Sequence, residues 1–193
     1  MGGRRHRLGC PLGTPVPATS AKVLLVTGRP GVGKTTVIRA LGERLADLRL
    51  GGFWTEEMRR AGTREGFRLR TFDGEARVIA STRLARVPRV GKYGVDVAAI
   101  DAVAARVLTP ASDVDVYLVD EIGRMECLSA VFVTALRALL SSTAPVVASV
   151  ALRGGGLIDE VKRRAGARLW QVTPGNRDAL PLEIERAVRR HPE

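Results

Sequence analysis

The sequence predicts an α/β domain built on a mainly parallel sheet, with helices on both faces and an antiparallel hairpin insertion. Strand-like and helix-like segments alternate along the chain, which is the pattern of a layered sheet-and-helix domain. Three strand candidates, residues 23–26, 116–119 and 146–150, are apolar, β-branched runs. Such runs belong to parallel strands covered on both faces by helices. The third observation is local. Residues 67–71 and 77–80 flank Asp73-Gly74, a pair that accepts the backbone of a tight hairpin turn.

Taken in order, residues 1–20 are rich in Gly, Pro and Thr without hydrophobic periodicity and read as a flexible tail. Residues 21–193 read as one domain, with no repeat. Strands are expected at 22–27, 52–57, 66–71, 76–80, 114–120, 145–150 and 168–172. Helices are expected at 34–48, 95–108, 127–140, 156–164 and 181–190. A chain of 193 residues can bury a real core, and 45% hydrophobic with only 4% aromatic residues makes that core mainly aliphatic.

Composition also excludes. No run approaches the roughly 20 apolar residues that span a bilayer. Arg4, Arg5 and Arg7 precede no apolar stretch of secretory length. Gly2 suggests a lipidation signal, but His6 stands where that signal has Ser or Thr. Cys10 and Cys127 are too few and too far apart for a disulfide framework or metal site, so two thiols in a reducing cytoplasm are expected. The net charge is +11, nearly all arginine. Between Arg59 and Lys92 there are ten basic residues against three acidic ones. That surplus reads either as a solvated surface or as a nucleic-acid contact, and no RNA-binding signature with interleaved aromatics accompanies it. A monomer is expected.

The chemistry concentrates at Gly28-Arg29-Pro30-Gly31-Val32-Gly33-Lys34-Thr35, followed by Thr36. The segment sits between an apolar strand candidate and a helical pattern, the context that a phosphate-binding loop requires. Glycines let successive N–H groups converge on one anion, and the helix start adds its positive end. Lys34 can reach β- and γ-phosphates, and the Thr35 hydroxyl can hold Mg²⁺. A partner carboxylate is expected at Asp120, which closes the run Val116-Tyr117-Leu118-Val119 at the strand end facing the ligand crevice. It would hold the metal directly or through water.

Glu121 is placed to orient or deprotonate a water attacking the γ-phosphate, which favours hydrolysis over transfer; the bland reading is an acid near a helix start. Arg124 either stabilises charge on the phosphoryl group or pairs with Glu121 or Glu126. Glu126 itself reads more readily as a capping acid than as a catalyst. Glu56 and Glu57 divide between a site-edge role and surface ion pairs. The Pro174-Gly175-Asn176-Arg177 segment reads as a turn, or as a contact to base or sugar.

Together these residues resemble the small P-loop nucleoside-triphosphatases of the THEP type, from about Lys22 to Val188. The blocks that carry the resemblance are residues 28–36, 52–59, 91–96, 119–126 and 172–177. The resemblance implies a P-loop NTPase fold and slow Mg²⁺-dependent hydrolysis of ATP, GTP, CTP, UTP and other triphosphates with broad base tolerance. It implies phosphate and metal binding by Gly31, Gly33, Lys34, Thr35 and Thr36, metal binding by Asp120 and water positioning by Glu121. It also raises the weight of a nucleotide contact at Asn176 and Arg177. Three features depart from the family pattern. Arg124 stands where a lysine is expected, Trp54 replaces Tyr or Phe, and the first twenty residues are extra. Two other classes stay open: a nucleotide or small-molecule kinase, whose lid residues 59–92 would supply, and an RNA-associated nucleotide switch.

Overall fold

Nine strands join in one sheet in the order β5-β6-β4-β3-β2-β7-β8-β1-β9. The computed structural model describes residues 22–85 and 87–190. The expected tail over residues 1–20 lies outside the described residues, as do Cys10 and Arg86. In chain order the strands are β1 (Val23–Gly28), β2 (Leu50–Arg60), β3 (Thr63–Thr71), β4 (Ala76–Ser81), β5 (Arg89–Val90), β6 (Tyr93–Val95), β7 (Val116–Ile122), β8 (Val146–Ala151) and β9 (Ala167–Gln171). The helices are α1 (Lys34–Arg44), α2 (Val97–Val107), α3 (Ala130–Ser141), α4 (Leu157–Lys162) and α5 (Leu180–Arg189).

Five of the nine strands form the parallel body of the sheet, and four extend it antiparallel. Strands β2, β7, β8, β1 and β9 pair in parallel, whereas β3, β4, β6 and β5 extend the sheet antiparallel from the far edge of β2. β2 therefore serves both halves. Its first residues, Leu50 to Phe53, match Val116 to Val119 of β7, and from Phe53 onward it runs against β3. Gly52 makes that passage possible. Its φ is +92°, and a Cβ there would lie 2.1 Å from the Leu118 carbonyl oxygen of β7, a position open only to glycine.

Alternation along the parallel strands builds two cores. Leu24, Val26, Leu118 and Val147 point to one face, where Val37, Ile38 and Leu41 of α1 and Ile184 of α5 cover them. Val23, Leu25, Val119 and Ala148 point to the other, under Ile100 and Val103 of α2, Phe132 and Leu136 of α3, and Ile158 of α4. Each such side chain taken fully from water contributes about 1.5–3 kcal/mol, so both faces resist peeling. The expected mainly parallel sheet with helices on both faces and an antiparallel hairpin is the observed architecture.

Several boundaries differ from the sequence expectation, each for a local reason. The two short strands β5 and β6, of 2 and 3 residues, are below the length at which alternation can be read. Val95, expected to open a helix, ends β6, and Asp96 caps α2 by accepting from the Ala99 N–H at 3.0 Å. The helix expected from 127 begins at Ala130, because Ser129 caps it through the Phe132 N–H at 2.8 Å. A 3₁₀ turn, Glu126–Leu128, precedes that cap. α1 stops at Arg44 rather than 48, where the chain turns to enter β2.

Candidate active site

The loop leaving β1 carries its own preparation for an anion. Gly33 precedes α1 with φ +109°, and no side chain caps the helix start. The first N–H groups of an 11-residue helix are thus left for another acceptor. Gly33 is also crowded from outside: a Cβ there would lie 2.3 Å from Cδ of Arg177. The Val32 side chain lies over Gly28 and packs against the α1–α5 core. Lys34 folds back over the loop, with Nζ 3.3 Å from the Gly28 carbonyl oxygen and 3.5 Å from Oε2 of Glu121.

Asp120 is fully buried, at 0% exposure. Two neighbouring strands and a helix converge on it. Thr35 at the start of α1 donates its hydroxyl to Oδ2 at 2.7 Å, the Thr55 N–H of β2 reaches the same oxygen at 3.4 Å, and Ser149 of β8 donates to Oδ1. The Thr55 hydroxyl donates to the Asp120 carbonyl oxygen. Pairing between β7 and β8 slips between Val119 and Ile122, which releases Asp120 and Glu121 from regular register. Burial raises the Asp120 carboxyl above its ordinary range, against the pull of Ser149, Thr35, Thr55 and Lys34. Burial likewise raises Glu121, which Lys34 holds down and Asp120 pushes further up. Glu126 is only 5% exposed, and burial, with Glu121 and Asp120 nearby, pushes its carboxyl up to about 8.

These groups share one cleft of ≈ 1040 Å³. Gly28, Arg29, Pro30, Gly31, Gly33, Lys34, Thr35 and Thr36 line one side, with Glu121 and Arg124 facing them. Asp120 lies beneath its floor. Arg124 forms no ion pair among the described residues, and Glu126 sits in the 3₁₀ turn with its carboxyl at the cleft. Glu56 and Glu57 both line the cleft and both hold ion pairs, to Arg70 and to Arg59 and Arg64. Asn176 braces its own turn, accepting from the Thr173 N–H at 2.7 Å and donating to the Gln171 carbonyl at 2.9 Å. Arg177 lies against Gly33 instead of lining the cleft.

Four residues at the site were not singled out from sequence. Ser149 had one signal, a hydroxyl inside an otherwise apolar strand. Thr55 was visible only as part of a block. Arg39 and Arg153 had none, yet both line the cleft, and neither forms an ion pair among the described residues. Arg153 follows β8, the strand that lies between the phosphate loop and Asp120, and Lys162 steadies that loop by donating to the Leu152 carbonyl at 2.8 Å.

Thr35 and Asp120 offer hydroxyl and carboxylate oxygen only, a hard donor pair suited to Mg²⁺ and not to a soft metal. Among the described residues no cluster of three or more His, Cys, Asp or Glu forms a metal cage. That fits an ion that keeps waters and takes phosphate oxygens.

A glycine-rich loop between a buried parallel strand and an uncapped helix, faced by a buried aspartate two strands away, defines a P-loop nucleotide-binding protein. The profile of the NTPase family, NTPase_1, matches residues 23–185. A nucleoside-triphosphatase THEP1 of Thermotoga sp. (strain RQ2) is 39% identical over 162 residues, covering 83% of this chain and 92% of that protein. One from Thermofilum pendens is 37% identical, covering 88% and 96%. The crystal structure of THEP1 from Aquifex aeolicus superposes with a TM-score of 0.79 at 36% identity, over 87% of this chain and 99% of that one. The solution structure of a human cancer-related nucleoside triphosphatase gives 0.76 at 32% identity, over 88% and 98%. The chain belongs to the THEP1-type nucleoside-triphosphatase family and is a nucleoside-triphosphate hydrolase.

Proposed function

We propose that the protein hydrolyses ATP, GTP, CTP and UTP to the diphosphate and phosphate in a Mg²⁺-dependent reaction with little selection of base. The observation that carries this reading is Lys34 set 3.5 Å from Glu121, beside the hydrogen-bonded pair of Thr35 and Asp120. A cation for the β- and γ-phosphates and a carboxylate for water then meet at one point.

Backbone N–H groups of residues 28–36 bind the phosphate chain, and Lys34 exchanges Glu121 for a phosphate oxygen. Thr35 and Asp120 would hold Mg²⁺, which would supply positive charge against the negative charge of the phosphates. Glu121 orients the attacking water and takes its proton as the bond to the γ-phosphorus forms and the bond to the β,γ-bridging oxygen breaks. Its burial-raised pKa brings proton uptake nearer neutral pH. Arg124 and Arg153 supply forked N–H groups to the equatorial oxygens, where charge accumulates. Breadth toward the base is supported by Asn176, whose amide is already engaged within its own turn.

Among the described residues no helix is long and apolar enough to cross a membrane. Nucleic acid is a weaker reading for the basic segment 59–92. Arg59, Arg64, Arg70, Arg77 and Arg83 each have a carboxylate partner, so much of the surplus is locally neutralised.

The test is phosphate release from each of the four triphosphates, with Mg²⁺ and with a chelator, for the parent and for Glu121→Gln. Release from all four that stops with the chelator supports the reading. Release from one base alone, or release that persists without metal, refutes the corresponding part.

A further inference from the structure

The cleft extends past its phosphate-binding end. β2 and β3 lie beyond β7 on the side away from the phosphate loop. From them Glu56, Glu57, Arg64 and Phe67 line the same cleft, joined by Val90 of β5 and by Met125. The Asn176–Arg177 turn follows β9, at the opposite edge of the parallel half. A triphosphate held by the loop, with its γ-phosphate at Lys34 and Glu121, leaves this arm free.

Its surface has a definite character. Phe67 is half-buried and meets Tyr93 edge-on, with ring centroids 5.1 Å apart at 72°. The Arg64 guanidinium stands 5.7 Å from the Phe67 centroid, and its Nη1 is 3.2 Å from Oε1 of Glu57. The Arg64 side chain is 41% exposed, so its outer guanidinium nitrogens remain open to the cleft. Glu56 is held by Arg70 at 2.8 Å and Glu57 by Arg59 at 2.7 Å, so both carboxylates are fixed in place with lone pairs to spare. An apolar wall, an exposed guanidinium and anchored carboxylates suit a flat heteroaromatic ring that carries hydroxyl groups. Two blocks of the family pattern, 52–59 and 91–96, supply Glu56, Glu57 and Tyr93 to this arm rather than to the phosphate end.

We propose that this arm is an acceptor site for a hydroxyl-bearing heteroaromatic molecule of the nucleoside kind, which receives the γ-phosphoryl group in place of water. The inference rests on the phosphate placement of the preceding section. The acceptor oxygen attacks the γ-phosphorus and its proton passes to the Glu121 carboxylate. The bond to the β,γ-bridging oxygen breaks, and the diphosphate leaves with the electron pair. Triphosphate and alcohol thus give diphosphate, phosphate ester and one proton. Water and acceptor compete for the same phosphorus, so the readout is a partition.

The experiment gives the full chain ATP labelled in its γ-phosphate, Mg²⁺ and, in turn, adenosine, guanosine, cytidine and uridine, and separates labelled nucleoside phosphate from labelled inorganic phosphate. Labelled nucleoside phosphate is expected with at least one of them. Phe67→Leu keeps apolar bulk against the core while removing the ring face, and is expected to lower the ratio of transfer to hydrolysis by roughly 10-fold. Arg64→Met, which keeps the apolar stem, is expected to lower the same ratio. Label confined to inorganic phosphate with every nucleoside overturns the proposal, as does a ratio indifferent to both variants. Release without nucleoside reports on the hydrolytic reading separately, and its absence would count against that reading instead.

Discussion

Replacing Glu121 by Gln separates chemistry from binding. The change keeps shape and removes a charge. In the free enzyme Glu121 stands 3.5 Å from Lys34, with side-chain exposures of 30% and 7%. Coulomb attraction across that gap is about 5 kcal/mol at an effective dielectric near 20, and desolvation of the two groups cancels most of it. A net loss of about 1 kcal/mol is expected, which lowers the melting temperature of the free protein by roughly 2–4 °C. With triphosphate bound, Lys34 has a phosphate for a partner and the penalty disappears. Nucleotide affinity is therefore unchanged or higher, because a negative charge beside the γ-phosphate has been removed. Turnover falls by about 10²–10⁴, the range of a positioned acid–base group. Equilibrium nucleotide binding, single-turnover phosphate release and thermal melts measure the three effects. Turnover like the parent's, or a loss of affinity as large as the loss of rate, refutes the assignment of Glu121 to the water.

Glu126 gives a prediction in pH. Its carboxyl moves from an ordinary value of 4.5 to about 8 on folding, so between those values the folded chain holds a proton that the unfolded chain has released. Stability therefore falls as pH rises through that window, by about 1.4 kcal/mol per unit. Glu126→Gln is expected to remove the slope, and denaturant melts at several pH values across the window would reveal it; parallel curves for parent and variant refute it. Ser149→Ala takes a hydrogen bond from Asp120 and is expected to raise the Mg²⁺ concentration for half-maximal turnover roughly 10–100-fold. An unchanged titration would show that Asp120 does not depend on Ser149 for orientation. Arg153→Ala is expected to lower turnover about 10²-fold while leaving diphosphate affinity nearly constant; a loss confined to affinity would make Arg153 a ground-state contact.

What was legible in the sequence was whatever the chemistry forces to be contiguous. Residues 28–36 declare themselves because convergent N–H groups need glycines at fixed offsets, with Lys34 and Thr35 directly after. Asp120 was legible only together with that loop, because many strands end in an aspartate and it is the phosphate loop that calls for a metal-holding carboxylate. Ser149, Thr55 and Arg153 reach the site through sheet order, which sets β8 between β1 and β7 and β2 beyond, and no local pattern states that order. The burial of Glu126 was not legible for a related reason. A carboxylate beside a helix start reads as a cap, and only tertiary burial makes it a group that resists ionising. How far the arginine surplus is neutralised was not legible, because partners such as Glu57 for Arg64 and Glu56 for Arg70 lie across strand pairs and not along the chain.

The position of β8 has a consequence for synthesis. β1 and β7 are both made before β8, yet neither pairs with the other; each pairs with β8. The antiparallel half, β2 through β6, is nearly continuous in sequence and can close on itself as it emerges. A nascent chain ending before Val146 thus holds both the phosphate loop and Asp120 with no strand to bring them together. Nucleotide binding is therefore expected of the finished chain and not of a truncation product of that length.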